Sequence, residues 1–177
     1  MGQYYKIVNL DRREFISPHA FMDGSKLMEF SCAGCGVLSG LSVLLASSNR
    51  EGGGDLFVDA GWEDIPGRWA GNRIVIAGDY DDKQDSPGWG IFGLCGPRSD
   101  LEKVLNAAGE LELYIDISSR VLGALLSDPY FRDNFTYLKE GSPGAAHFDQ
   151  EQRELWASAR PGEPFPRDVK NNNNSSN

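Results

Sequence analysis

A chain of 177 residues, 40% hydrophobic and 24% charged, has the balance of one globular domain with one core, large enough to fold without disulfide or metal. Seventeen basic residues against twenty-six acidic ones leave a formal net charge of -9, so a phosphate backbone is repelled on average, which argues against nucleic acid as a partner. No stretch reaches the roughly 20 apolar residues of a membrane span, the opening MGQYYKIVNL lacks the apolar run of a secretory signal, and an odd count of three cysteines fits a reducing, cytoplasmic setting.

Residues 4–10 alternate and are rich in aromatic and branched side chains, and residues 14–17 resume extended structure before Pro18. This predicts an N-terminal hairpin. Its connection, Asp11-Arg12-Arg13, has no Gly or Asn, which favours a longer turn over the two-residue primed type. Residues 25–30, SKLMEF, fit helix and strand equally. Val37, Leu38, Leu41, Leu44 and Leu45 recur at three and four residues, the spacing of one helical face. Gly40, Ser39 and Ser42 weaken that helix, so packing must hold it.

NREGGG closes the helix, and a loop leads to about Gly67. The branched run over residues 73–77 then predicts a central strand buried on both faces, followed by a long Gly, Asp and Pro loop over 81–97. Ser99 to Glu102 matches a capping box, with Leu101, Val104, Leu105 and Ala108 as the stripe of the helix it opens. Residues 111–117 alternate as a strand. Ser118 is placed to cap a helix carrying Val121, Leu122 and Leu125, and Asp128-Pro129 to open another through Phe131 and Phe135. The domain organisation expected is a globular unit over 1–141, a proline-rich extension over 142–168 with a short helix near 149–159, and a disordered tail over 169–177.

Chemistry-bearing motifs are few. Cys32-Ala33-Gly34-Cys35 invites a redox pair or half of a zinc site. The strand pattern of a redox motif is missing, and neither His19 nor His147 has a spacing that supplies a fourth zinc ligand, so Cys32, Cys35 and Cys95 are read as structural and free, with no metal and no cofactor. Asp79, Asp81, Asp82 and Asp85 offer oxygen ligands for a hard cation, without the spacing of a calcium loop. Arg68, Trp69, Arg73, Asp79 and Tyr80 bracket the 73–77 strand and are the candidate ligand-binding residues, guanidinium groups pairing with an anion while rings stack. In the plainer reading Trp69 plugs the core edge and the arginines pair with nearby aspartates. No nucleophile elbow, zinc-protease motif, P-loop or dinucleotide fingerprint is present.

The phrases MGQYYKIVNLDRREF, KLMEF and GRWAGNRIVIAGDY together resemble a family of small, uncharacterised proteins from bacteria, phages and some lower eukaryotes. Its members open with a tyrosine-rich strand and Asn-Leu-Asp, and carry Trp-Ala-Gly before a strand ending in Gly-Asp-Tyr. The resemblance covers mainly the first eighty residues and brings no activity. It implies only that Tyr4, Tyr5, Asn9, Asp11, Trp69, Gly71, Arg73, Gly78, Asp79 and Tyr80 match recurring phrases.

The expected fold is a single compact α+β domain, a mainly antiparallel sheet built from the hairpin and the 73–77 and 111–117 strands and covered by helices. The expected function is a non-catalytic ligand-binding or protein-interaction module, its partner a small molecule or a protein of unknown identity. The alternative is a small metal-assisted hydrolase using Asp79, Asp81 and Asp82.

Overall fold

The computed structural model describes residues 2–32, 36–49, 54–80, 90–96, 113–134, 150, 153–154, 156–157 and 160–165. Strand β1 (Tyr5–Asn9) pairs antiparallel with β2 (Glu14–Ile16), with Ile7 opposite Ile16 and Asn9 opposite Glu14. Asn9 makes the glycine-free connection possible. Its Oδ1 accepts the N–H groups of Asp11 and Arg12 at 3.0 and 2.9 Å, an Asx turn, and Arg13 then takes the left-handed conformation at φ 54.

On its other side β1 pairs antiparallel with β3 (Ile74–Gly78), and β4 (Ile115–Asp116) runs parallel to β2. The sheet order is β3-β1-β2-β4. The fold is therefore α+β as expected, but its sheet is mixed. A long connection through helices returns the chain in the same direction before β4 pairs, and a crossover of that kind permits a parallel neighbour. A second correction concerns β3, which among the described residues is not a central strand but an end strand. A branched run reports apolar surroundings without reporting what lies on both sides, and Ile76 keeps 43% of its surface.

Helix α1 (Leu27–Ser31) resolves the ambiguous SKLMEF segment, with Glu29 Oε2 accepting the Lys26 N–H at 3.2 Å. Helix α2 (Val37–Leu45) follows, then α3 (Ile91–Leu94), α4 (Ser118–Ser127) and α5 (Pro129–Asn134). Ser118 does not cap α4. Asp116 Oδ1 accepts the Ser118 N–H at 2.8 Å, while Ser118 Oγ accepts from Ser17 N–H and ties the helix start to the hairpin. Asp128 Oδ1 does cap α5, through Phe131 N–H. The expected helix after Ser99 lies outside the described residues, as does the tail.

Among the described residues, the two sheet faces bury unequal cores. Ile7 and Ile16 point to the main one, where Phe21, Phe30, Val37, Leu44, Trp69, Val121 and Leu125 meet. Val8 and Phe15, their alternating neighbours, point to a smaller cluster with Ala77 and Cys95. Gly40 sets the approach of α2 to α4: a Cβ there would lie 3.0 Å from Val121 Cγ1 and 3.1 Å from the Phe21 ring. The helix that propensity disfavours is thus held by close packing.

The C-terminal extension joins the main core within the described residues. Trp156 and Phe165 are buried with ring centroids 6.2 Å apart. Arg160 is buried between them in sequence, its Nη1 donating to Asp59 Oδ2 at 2.9 Å and Ser127 Oγ at 2.8 Å.

Asp23 anchors the start of α2. Its buried Oδ2 accepts Val37 N–H at 2.7 Å, and burial pushes its carboxyl up to about 6 although that bond pulls the other way. The folded chain holds this proton more tightly than the unfolded chain, whose value is near 3.8. The resulting stabilisation is full below the unfolded value and is lost as pH rises to about 6. Asp23→Asn keeps an acceptor for Val37 but cannot titrate. Its Tm relative to the unsubstituted protein is expected to climb between roughly pH 4 and 6.5 in a thermal-melt series, and a difference constant across that range would contradict the assignment.

Candidate functional site

The polar end of the sheet is organised by Glu14. Alternation along β2 turns Glu14 to the same face as Ile16, so its carboxylate is buried. Arg68 Nε donates to both carboxylate oxygens at 3.1 and 3.0 Å, Arg68 Nη2 to Oε1 at 2.6 Å, and Trp69 Nε1 to Oε2 at 2.8 Å. Burial pushes the Glu14 carboxyl up, but the Arg68 and Trp69 bonds outweigh it and hold it below the ordinary carboxylate range. Those bonds also raise Arg68. Arg68 Nη1 reaches Asp64 Oδ2 at 2.8 Å, and Asp64 in turn accepts from Arg120 of α4 at 2.9 Å.

The local fold aims these groups. Gly67 N–H donates to Val43 O and Trp69 N–H to Leu44 O, at 2.9 and 2.8 Å, so the 67–69 turn is laid against the end of α2. Gly67 sits at φ 77, and a Cβ there would meet Ala46 O at 2.6 Å. Only glycine combines that conformation with that approach. Beside it, Arg73 pairs with Asp11 through Nε at 2.8 Å and Nη2 at 2.6 Å, and its N–H reaches Asp11 Oδ2 at 2.7 Å. The Arg73 bonds lower the exposed Asp11 carboxyl.

Asp79 and Tyr80 stand at the other end of β3. Asp79 Oδ1 accepts Tyr4 N–H at 3.1 Å, and Asp79 N–H returns a bond to Tyr4 O at 3.0 Å, which extends the β1–β3 ladder. Arg73 and Asp79 are separated by the whole strand, roughly 20 Å at about 3.3 Å per residue. The five candidate residues therefore do not line one pocket. Arg68, Trp69 and Arg73 gather at the turn end with their acidic partners, Trp69 fully buried, and Asp79 and Tyr80 lie at the opposite end.

Asp81, Asp82, Asp85 and Cys35 lie outside the described residues. Among the described residues no three His, Cys, Asp or Glu side chains group to hold a metal ion. Cys32 is exposed and Cys95 buried, both free. Cys32 follows α1, which packs on the main core through Phe30, whereas Cys95 sits in the cluster on the opposite sheet face, so the sheet separates them. Burial pushes the Cys95 thiol up to about 12, which makes it inert at neutral pH.

A pocket that the sequence did not suggest opens between α2, the 54–56 segment and the α4–α5 junction, with a volume of about 450 Å³. Val43, Leu56, Leu125 and Phe131 form its apolar lining, and Ser39, Ser42, Asp55 and Asp128 its polar lining. Tyr130, 78% exposed, stands at its edge. The carboxylate of Asp128 is fixed by two backbone donors, Phe57 N–H at 3.0 Å and Phe131 N–H at 3.1 Å. Its only sequence signal was the Asp128-Pro129 helix start.

No family model matches this chain, and no curated protein or solved structure matches it. Among the described residues, no helix is long and apolar enough to cross a membrane.

If Glu14 holds the turn end together, Glu14→Gln should cost about 2–3 kcal/mol, since an amide nitrogen would face the Arg68 and Trp69 donors. That is less than the ~3–5 kcal/mol of a fully buried pair, because Arg68 keeps some water contact. Urea unfolding measures it, and a loss under about 0.5 kcal/mol would show the network to be surface decoration.

Proposed function

We propose that this protein is a non-catalytic binding module that takes a small molecule with an apolar or aromatic body and a cationic head, in the pocket beside Tyr130. The observation that supports this reading is the pocket itself: about 450 Å³, an apolar floor, and two carboxylates with two hydroxyls at its polar side. That size and mixture are characteristic of small-molecule sites. None of its described lining residues is basic. Asp128 offers a charge already oriented by backbone donors, and the Tyr130 ring offers a face for a cation, worth about 0.5–1 kcal/mol at an exposed site.

The polar residues around β3 support a binding protein over an enzyme in a different way. Arg68, Arg73, Glu14 and Asp11 are joined to one another, and groups so paired are poorly placed to act as acid, base or nucleophile. Of the three acids in the hydrolase alternative, Asp79 gives one carboxylate oxygen to the Tyr4 N–H, and Asp81 and Asp82 lie outside the described residues. Cytoplasmic residence, and membership of the family that the opening phrases resemble, belong to the same proposal and rest on the sequence.

Phenethylamine and its uncharged analogue phenethyl alcohol provide the test. At ten times its Kd the amine should add about 1.4 kcal/mol of stability and raise the Tm by a few degrees, while the alcohol at equal concentration should do less. Tyr130→Ala should leave the ligand-free Tm unchanged and reduce the amine's shift. Equal shifts from both compounds, or an amine shift untouched by Tyr130→Ala, would reject the pocket as the binding site.

A further inference from the structure

The outer edge of β3 carries a self-complementary pattern. Asp79 N–H bonds to Tyr4 O, and Leu10 N–H bonds to Arg73 O. In an antiparallel ladder the residues that exchange bonds alternate. With the register Ile7 to Ile76 and Val8 to Val75, residues 73, 75, 77 and 79 turn their backbone groups toward β1. Ile74, Ile76 and Gly78 turn theirs outward, at the end of the sheet. Among the described residues no strand pairs with that edge, and Ile76 in its middle is 43% exposed.

We propose that β3 pairs with β3 of a second copy of this chain, antiparallel about a two-fold axis at Ile76, to give one continuous sheet across the dimer. A two-fold there is the one register that matches every outward group. Ile76 exchanges two bonds with the partner's Ile76, and Ile74 exchanges two with the partner's Gly78 at each end. The same register sets Arg73 opposite the partner's Asp79, twice. Those pairs fall at positions where the strands exchange no backbone bonds, which bring cross-strand side chains closest.

The charges fit this placement. The Arg73 side chain is 76% exposed although it pairs with Asp11, and a guanidinium has donors enough for a second carboxylate. Asp79 uses Oδ1 for Tyr4, and no described residue bonds its Oδ2. The two Ile76 side chains cover each other on the main-core face. An edge strand with an exposed apolar centre is a template for strand addition; in β3 that centre is Ile76, while Ala77 and Gly78 are buried, and the flanking charges are opposite in sign, so they attract the chain's own copy in this one register.

Five residues a side bury less than the roughly 1,000 Å² of a durable interface. Association is therefore expected in the micromolar range or weaker. Sedimentation velocity between about 5 and 500 µM would follow it, a span centred on a micromolar Kd. The full chain should shift toward twice its 19.4 kDa mass as concentration rises. Arg73→Asp and Asp79→Arg each place like charges together at both ends of the two-fold, and each variant alone should stay monomeric. An equimolar mixture of the two sets opposite charges together at both ends and should recover the dimer. Ile76→Lys tests the centre without touching the Asp11 pair, by opposing two ammonium groups across the axis, and should also be monomeric. Melting curves check that all three variants fold. A wild-type chain monomeric over the whole range would overturn the proposal. So would a dimer unaffected by Ile76→Lys, or single variants whose mixture fails to reassociate.

Discussion

A buried carboxylate has to be satisfied or the fold pays for it, and Glu14 is the place where this chain meets that demand. Desolvating an unpaired carboxylate costs several kcal/mol. Four donor contacts from Arg68 and Trp69 answer it, and each donor comes from a turn that is itself bonded to the end of α2. The same guanidinium reaches Asp64, and through it Arg120 on α4. One side chain on β2 thereby ties together the sheet, the loop before β3 and two helices, and it seats the Trp69 indole in the main core.

The opposite face of the sheet uses a cation for the same purpose. Lys6, one residue before Ile7, points to the smaller cluster, where its ammonium lies 4.8 Å from the Phe15 ring and 4.7 Å from the Phe92 ring and donates to the Cys95 carbonyl. Burial pushes Lys6 down, while Cys95 and Asp116 pull it back up. In this cluster a half-buried ammonium between two rings adds both cation–π attraction and a backbone bond. The alternation that sends Ile7 to one face and Lys6 to the other puts an ammonium on one side of the sheet and the Glu14 carboxylate on the other.

Much of this architecture was legible in the sequence wherever a local pattern carried its own physics. The hairpin, α2, α4 and the start of α5 followed from period-two and period-three-to-four spacing and from the Asp128-Pro129 cap. Local patterns could not report neighbours across the sheet. The 73–77 run read as central because branched residues signal apolar surroundings, and nothing in it announces that one flank is an edge. The candidate site suffered the same limit. Arg68, Trp69 and Arg73 stand out as an unusual group, but their partners Glu14 and Asp11 lie more than fifty residues away in sequence, and the pairing of β1 with β3 brings them together. Glu14 did leave one trace: it shares the inward phase of its strand with Ile16, an odd position for a charge unless a partner waits there.

Pairing also decides where this acidic chain can exert a field. At the turn end of the sheet each carboxylate meets a guanidinium, Glu14 with Arg68, Asp64 with Arg68 and Arg120, Asp11 with Arg73, so positive and negative charge cancel within a few ångströms and little potential reaches solvent. Asp128 is held differently, by two neutral backbone N–H groups. Those dipoles orient the carboxylate without cancelling its charge. A carboxylate fixed in that way beside an apolar pocket projects an attraction for cations that a salt-bridged one does not. Sequence alone ranks the arginine-rich strand flanks as the more conspicuous chemistry, but those charges are paired inside the fold, whereas the quieter acid at the start of α5 lines a cavity beside Asp55.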